Sequence, residues 1–119
     1  MKLIYGVAGW GIALLGAMHM LATVRIPSDR GAYAVWFFGS GLAISLVGAL
    51  NLLNRAYGSS AAGLRWVCVA GNVVMSAVAG VAGIVTGASA TELAIVLGLM
   101  GGATALSPLR HASRPSALQ

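Results

Sequence analysis

The sequence predicts an all-α integral membrane protein, an up-down bundle of four transmembrane helices. Three observations carry that prediction. The 119 residues are 59% hydrophobic and only 8% charged, against about 25% charged in an ordinary soluble domain. A chain this short leaves much of its area exposed and has no means of hiding so much apolar surface from water. The charges also interrupt the apolar sequence at intervals, dividing it into four long runs.

The first run, Leu3 to Val24, carries no formal charge and is bracketed by Lys2 and Arg25. At about 1.5 Å per residue it covers the ~30 Å of a bilayer's hydrocarbon core. It resembles a secretory signal in its leading lysine. It is nevertheless longer than the usual ~7–15-residue apolar region and contains His19, so it is expected to be a retained span.

Run two follows the segment Arg25 to Gly31 and extends from Ala32 to Leu53. Pro27 and Gly31 separate the two runs, and Ser28 or Asp29 is placed to cap the second helix. A loop rich in polar and small residues, Asn54 to Arg65, leads to the third span, 65–86. The fourth, 90–109, comes after a very short turn at Gly87-Ala88, which forces spans three and four into an antiparallel hairpin. Ser89 and Glu92 have capping-box spacing, two side chains that satisfy each other's backbone amides at a helix start. Residues 1–110 thus form one transmembrane domain, and 111–119 a polar tail. Membrane β-strands would alternate apolar and polar residues over about 10 positions, and no run does so.

Lys2, Arg55, Arg65, Arg110 and Arg114 fall on one side of such a bundle, with Arg25 and Arg30 on the other. Short loops rich in Lys and Arg stay in the cytoplasm, so both termini are expected on the cytoplasmic face of an inner membrane. The net charge of +5 comes from cations scattered over helix ends. These serve as orientation signals and contacts to anionic lipid rather than as a nucleic-acid patch. Tyr5, Trp66, Tyr33, Trp36 and Phe37 are expected at the interfaces, Tyr57 in the inner loop, and Trp10 deeper as a packing residue.

Small residues at helical spacing let neighbouring helices approach closely. Span one offers Gly9, Ala13 and Ala17; span two Gly41, Ser45 and Ala49; span three Ala79, Gly83 and Gly87; span four Gly98 and Gly102. The partner of each stripe is either another span or a second copy of the chain. Cys68, alone in an apolar run, reads as a small buried hydrophobe.

Few residues offer chemistry. His19 lies in the outer hydrocarbon layer and shares a helix face with Leu15, Gly16 and Thr23. An ionisable group at that depth points to a haem b, metal or quinone contact, or a titrating group. The plainer reading is a hydrogen bond to a neighbouring carbonyl, to Asp29 or to Glu92. Met18, His19 and Met20 point about 100° apart and do not converge on one ion. The second histidine, His111, falls in the tail, so bis-histidine haem ligation within one chain is not expected. Asn72, with Ser76 on its face, lies at a depth comparable to Asn51; the two amides are placed to meet across an antiparallel pair. They read as structural glue or as the lining of a substrate path. Ser45, Ser76 and Thr104 are expected to bond back to their own helix carbonyls. The span interiors hold no Asp or Glu, which removes the usual group for proton-coupled transport, and no nucleophile–base motif is present.

The function expected is therefore non-catalytic: an accessory, anchoring or assembly subunit working through helix contacts with itself or a larger complex. A homo-oligomeric transporter or channel with a path near Asn72, Ser76 and Asn51 is the alternative. A haem- or quinone-binding anchor using His19 is the third.

Overall fold

In the computed structural model, which describes residues 1–109, the chain forms four helices: α1 (Lys2–Ala22), α2 (Gly31–Tyr57), α3 (Ala62–Thr86) and α4 (Ala90–Leu106). Three of them are long and apolar enough to cross a membrane, an all-helical architecture that fits a membrane protein. The fourth is a shorter apolar helix of 17 residues, about 26 Å long at the standard rise. His111, Arg110, Arg114 and the tail lie outside the described residues.

Each helix packs mainly against its two neighbours in the order α1, α2, α3, α4, with α4 closing the ring on α1. Tyr5 meets Asn51 while Gly16 meets Gly41, and Tyr5 meets Ser107 while Gly11 meets Leu99. Both neighbours of α1 therefore run antiparallel to it. The core is a narrow column containing Ile12 of α1, Ile44 of α2 and Met100 and Ala103 of α4. Large apolar side chains such as Val35, Ile84 and Val85 face outward. In water that surface would be a heavy penalty; in hydrocarbon it has none.

The closest helix pair is α1 with α2, and glycine permits it. A Cβ on Gly41 would stand 2.8 Å from the Gly16 carbonyl oxygen, and one on Gly48 2.7 Å from Ala13 Cα. A Cβ on Gly16 would run into the Gly41 carbonyl and the Ser45 amide. Ser45 Oγ donates across this seam to the Ala13 carbonyl at 3.1 Å, rather than back to its own helix as expected. The seam uses Gly9, Ala13 and Gly16 on α1 and Gly41, Ser45 and Gly48 on α2. The predicted stripe was right in its first two members on each helix. It ran to Ala17 and Ala49, whereas the groove turns to Gly16 and Gly48, because 3.6 residues per turn favours mixed steps of three and four.

The α3–α4 hairpin closes as predicted. Gly87 has φ +68°, the left-handed conformation open to glycine. Its neighbour Ala88 donates to the Gly83 carbonyl at 2.9 Å, sealing the end of α3. Ser89 and Glu92 form the full capping box. At the other hairpin, Ser28 and Asp29 do not cap α2. They sit in a short 3₁₀ turn, and the helix starts behind Arg30 with no side-chain cap. Helix α2 also runs one turn beyond Leu53, taking Asn54 to Tyr57 out of the predicted loop.

Candidate functional site

Asn51 and Asn54 are three residues apart on α2 and share a face. That face meets Tyr5 from the first turns of α1, Asn72 from α3, and Ser107 at the end of α4. All five side chains are fully buried. Four helices thus contribute to one polar cluster at the end of the bundle where α1 begins.

Its hydrogen bonds can be followed proton by proton, since each amide nitrogen carries two and each hydroxyl one. Asn51 Nδ2 donates to the Val47 carbonyl at 2.8 Å and to Asn72 Oδ1 at 2.8 Å. Asn72 Nδ2 donates back to Asn51 Oδ1 at 2.9 Å and to Ser107 Oγ at 3.2 Å. Asn54 Nδ2 donates to the Tyr5 hydroxyl at 2.7 Å and to the Ser107 carbonyl at 3.0 Å. Tyr5 donates in turn to Asn51 Oδ1 at 2.9 Å, and the Ser107 hydroxyl lies 2.7 Å from the Ala103 carbonyl. Every amide proton of the three asparagines is used.

One acceptor is left over, Asn54 Oδ1, buried without a partner. Turning that amide over would set its oxygen against the Ser107 carbonyl, acceptor facing acceptor. The Ser107 carbonyl therefore fixes the orientation. An unsatisfied amide in hydrocarbon costs several kcal/mol, which is why the remaining groups are so thoroughly paired.

Asn51 and Asn72 meet as the sequence predicts. Ser76 Oγ bonds back to the Asn72 carbonyl at 2.7 Å, and Thr104 to Met100 at 2.7 Å. Cys68 is fully buried one turn before Asn72, its thiol donating to the Leu50 carbonyl at 3.2 Å. Tyr5 is a correction: it belongs to the core, not to an interfacial belt. Its ring is drawn in because the hydroxyl has Asn54 and Asn51 to bond, which water at the interface would otherwise supply. Sequence reasoning also missed Asn54 and Ser107. The available signal was side, since in the up-down order all five residues fall in the half of the bundle where α1 begins.

His19 lies at the far end of the α1–α2 seam. Its ring stacks on Phe37 with centroids 4.4 Å apart and planes 19° apart, and Phe37 in turn stacks on Tyr33. Among the described residues its ring nitrogens have no hydrogen-bond partner, so the expected bond to a carbonyl, Asp29 or Glu92 is replaced by this aromatic contact. Its backbone carbonyl accepts from Thr23 Oγ1 at 3.2 Å. Also among the described residues, no group of three or more His, Cys, Asp or Glu gathers within reach of one metal ion.

Amides and hydroxyls of this kind hold helices in register; proton transfer at neutral pH calls for a group of lower pKa. Comparison of the chain with protein-family models, with curated proteins and with solved structures gives no match.

Proposed function

We propose that the protein is a non-catalytic membrane subunit, an accessory or assembly component that acts through helix–helix contacts. In this reading α4 also crosses the membrane, and both termini lie on the cytoplasmic side of an inner membrane. The observation that carries it is a contrast in α4. Gly98, Gly101 and Gly102 face outward, and a Cβ at each would meet nothing within 4 Å. The polar groups of the bundle, meanwhile, are turned inward and consumed by one another. Glycine in a helix interior costs roughly 0.5–1 kcal/mol relative to alanine, and a close-packing partner helix offsets that cost. The predicted Gly98–Gly102 stripe finds no partner within the described residues, which suits a second chain.

The transport reading has less support. A path needs polar atoms open to a passing solute, and Asn51 and Asn72 spend all of their amide protons on fixed neighbours.

Photo-crosslinking from Gly101 in native membranes tests the proposal. A discrete adduct, to a second copy or to another protein, that disappears in Gly98→Leu/Gly102→Leu is the expected result. A chain crosslinked only to lipid overturns it.

A second reading rests on His19, whose ring is held by Phe37 while its nitrogens have no partner among the described residues. A Soret band in the detergent extract, lost in His19→Ala, supports a haem anchor; a colourless extract ends that version.

A further inference from the structure

The outward face of α1 carries an open groove of about 480 Å³ lined by Leu3, Gly6, Val7, Trp10, Gly11 and Leu14, with Arg55 of α2 at one end. Trp10, expected deeper in the span as a packing residue, is 58% exposed and forms part of its wall. Gly6 makes room for the cation: a Cβ there would stand 2.9 Å from Arg55 Cζ. Arg55 Nε donates to the Lys2 carbonyl at 3.0 Å. That bond fixes the guanidinium beside the first turn of α1 and leaves its two terminal nitrogens without a partner among the described residues. Lys2 adds a second positive charge at the same end. The carboxylates are at the opposite end of the bundle, Asp29 in the α1–α2 connection and Glu92 in the first turn of α4.

We infer that this groove is a binding site for one anionic phospholipid, its phosphate on Arg55 and Lys2 and one acyl chain along α1. Length and charge both favour that occupant. From Leu3 to Leu14 the helix advances about 16 Å, which matches the ~15 Å of one leaflet's hydrocarbon. The cations stand at the end where a headgroup would lie, and a basic pocket at the mouth of a helix groove selects anionic headgroups. A zwitterionic lipid fits the same groove but offers the cations no net charge. This site stands whether or not the chain serves as an accessory subunit, and it requires only that α1 and α2 cross the bilayer.

Trp10 is the natural reporter. In a single-tryptophan protein (Trp36→Phe/Trp66→Phe) reconstituted in phosphatidylcholine, chain-brominated phosphatidylglycerol should quench Trp10 with about fivefold preference over chain-brominated phosphatidylcholine. Arg55→Gln should abolish the preference and Arg55→Lys should retain most of it. The corresponding protein that keeps only Trp36, at the far end of the bundle, should show none. Equal quenching by the two lipids overturns the inference, as does an unchanged preference in Arg55→Gln or the same preference at Trp36. Displacement of the brominated lipid by excess inorganic phosphate would likewise overturn it, by showing that the anion alone is recognised and the groove is not.

Discussion

Asn51 and Asn72 form a reciprocal amide pair, each Nδ2 donating to the other's Oδ1 at 2.8 and 2.9 Å. The pair joins α2 to α3, and so joins the two hairpins of the bundle. Asn72→Leu strands one amide proton of Asn51 and takes one donor from its Oδ1, which keeps Tyr5, at an expected cost of about 1–3 kcal/mol. Asn51→Leu should cost at least as much, since Asn51 Oδ1 also accepts from Tyr5. The double variant should be more stable than the sum of the two losses, with a coupling of roughly 0.6–2 kcal/mol. Reversible unfolding in mixed micelles measures all four corners of the cycle; strict additivity would mean that the pair contributes nothing.

Tyr5→Phe removes one oxygen and almost no volume. Asn54 Nδ2 then loses the partner at 2.7 Å, and Asn51 Oδ1 loses one of its donors. A loss of about 1–3 kcal/mol is expected in the same unfolding assay. Tyr33→Phe, exposed at the opposite end of the bundle, should stay within about 0.5 kcal/mol of the parent.

The glycines divide into two classes with opposite predicted signs. Gly16→Ala places a methyl group against the backbone of Gly41 and Ser45, so α1 and α2 must separate and the seam loses its Ser45–Ala13 bond. Strong destabilisation and lower yield of folded protein are expected. Gly98→Ala meets open space and should raise the stability of the isolated chain by about 0.5–1 kcal/mol. Thermal unfolding of both variants in detergent distinguishes a packed glycine from an open one.

Ser89→Ala removes the hydroxyl that accepts from the Glu92 amide at 3.3 Å. The expected cost is about 1 kcal/mol. It should appear as faster hydrogen exchange confined to the first turn of α4, with the polar cluster at the other end unaffected.

Much of this architecture was legible because lipid imposes simple rules. The four helices, the Gly87 turn, the Ser89–Glu92 box and the meeting of Asn51 with Asn72 all follow from local spacing or from equal depth in adjacent antiparallel helices. Tyr5 and Ser107 did not, because their positions near helix ends have ordinary readings, an interfacial ring and a terminal hydroxyl. Only the α1–α4 contact, joining residues 102 positions apart, makes them neighbours. Asn54 was hidden by a boundary: α2 continues one turn past the last apolar residue because its amide, and not an apolar side chain, is buried there. The α1–α2 seam was half legible, since a Gly- and Ala-rich helix offers several small-residue stripes and only the partner decides among them.

Tyr5 leaves the ribosome 102 residues before Ser107, its partner in the finished cluster. Until α4 has been made, Asn54 has no Ser107 carbonyl to bond and Asn72 no Ser107 hydroxyl. The polar cluster is therefore fully paired only once the last helix docks on the first. A chain cut short before Ser107 would keep one amide proton of Asn54 and one of Asn72 unpaired in its core.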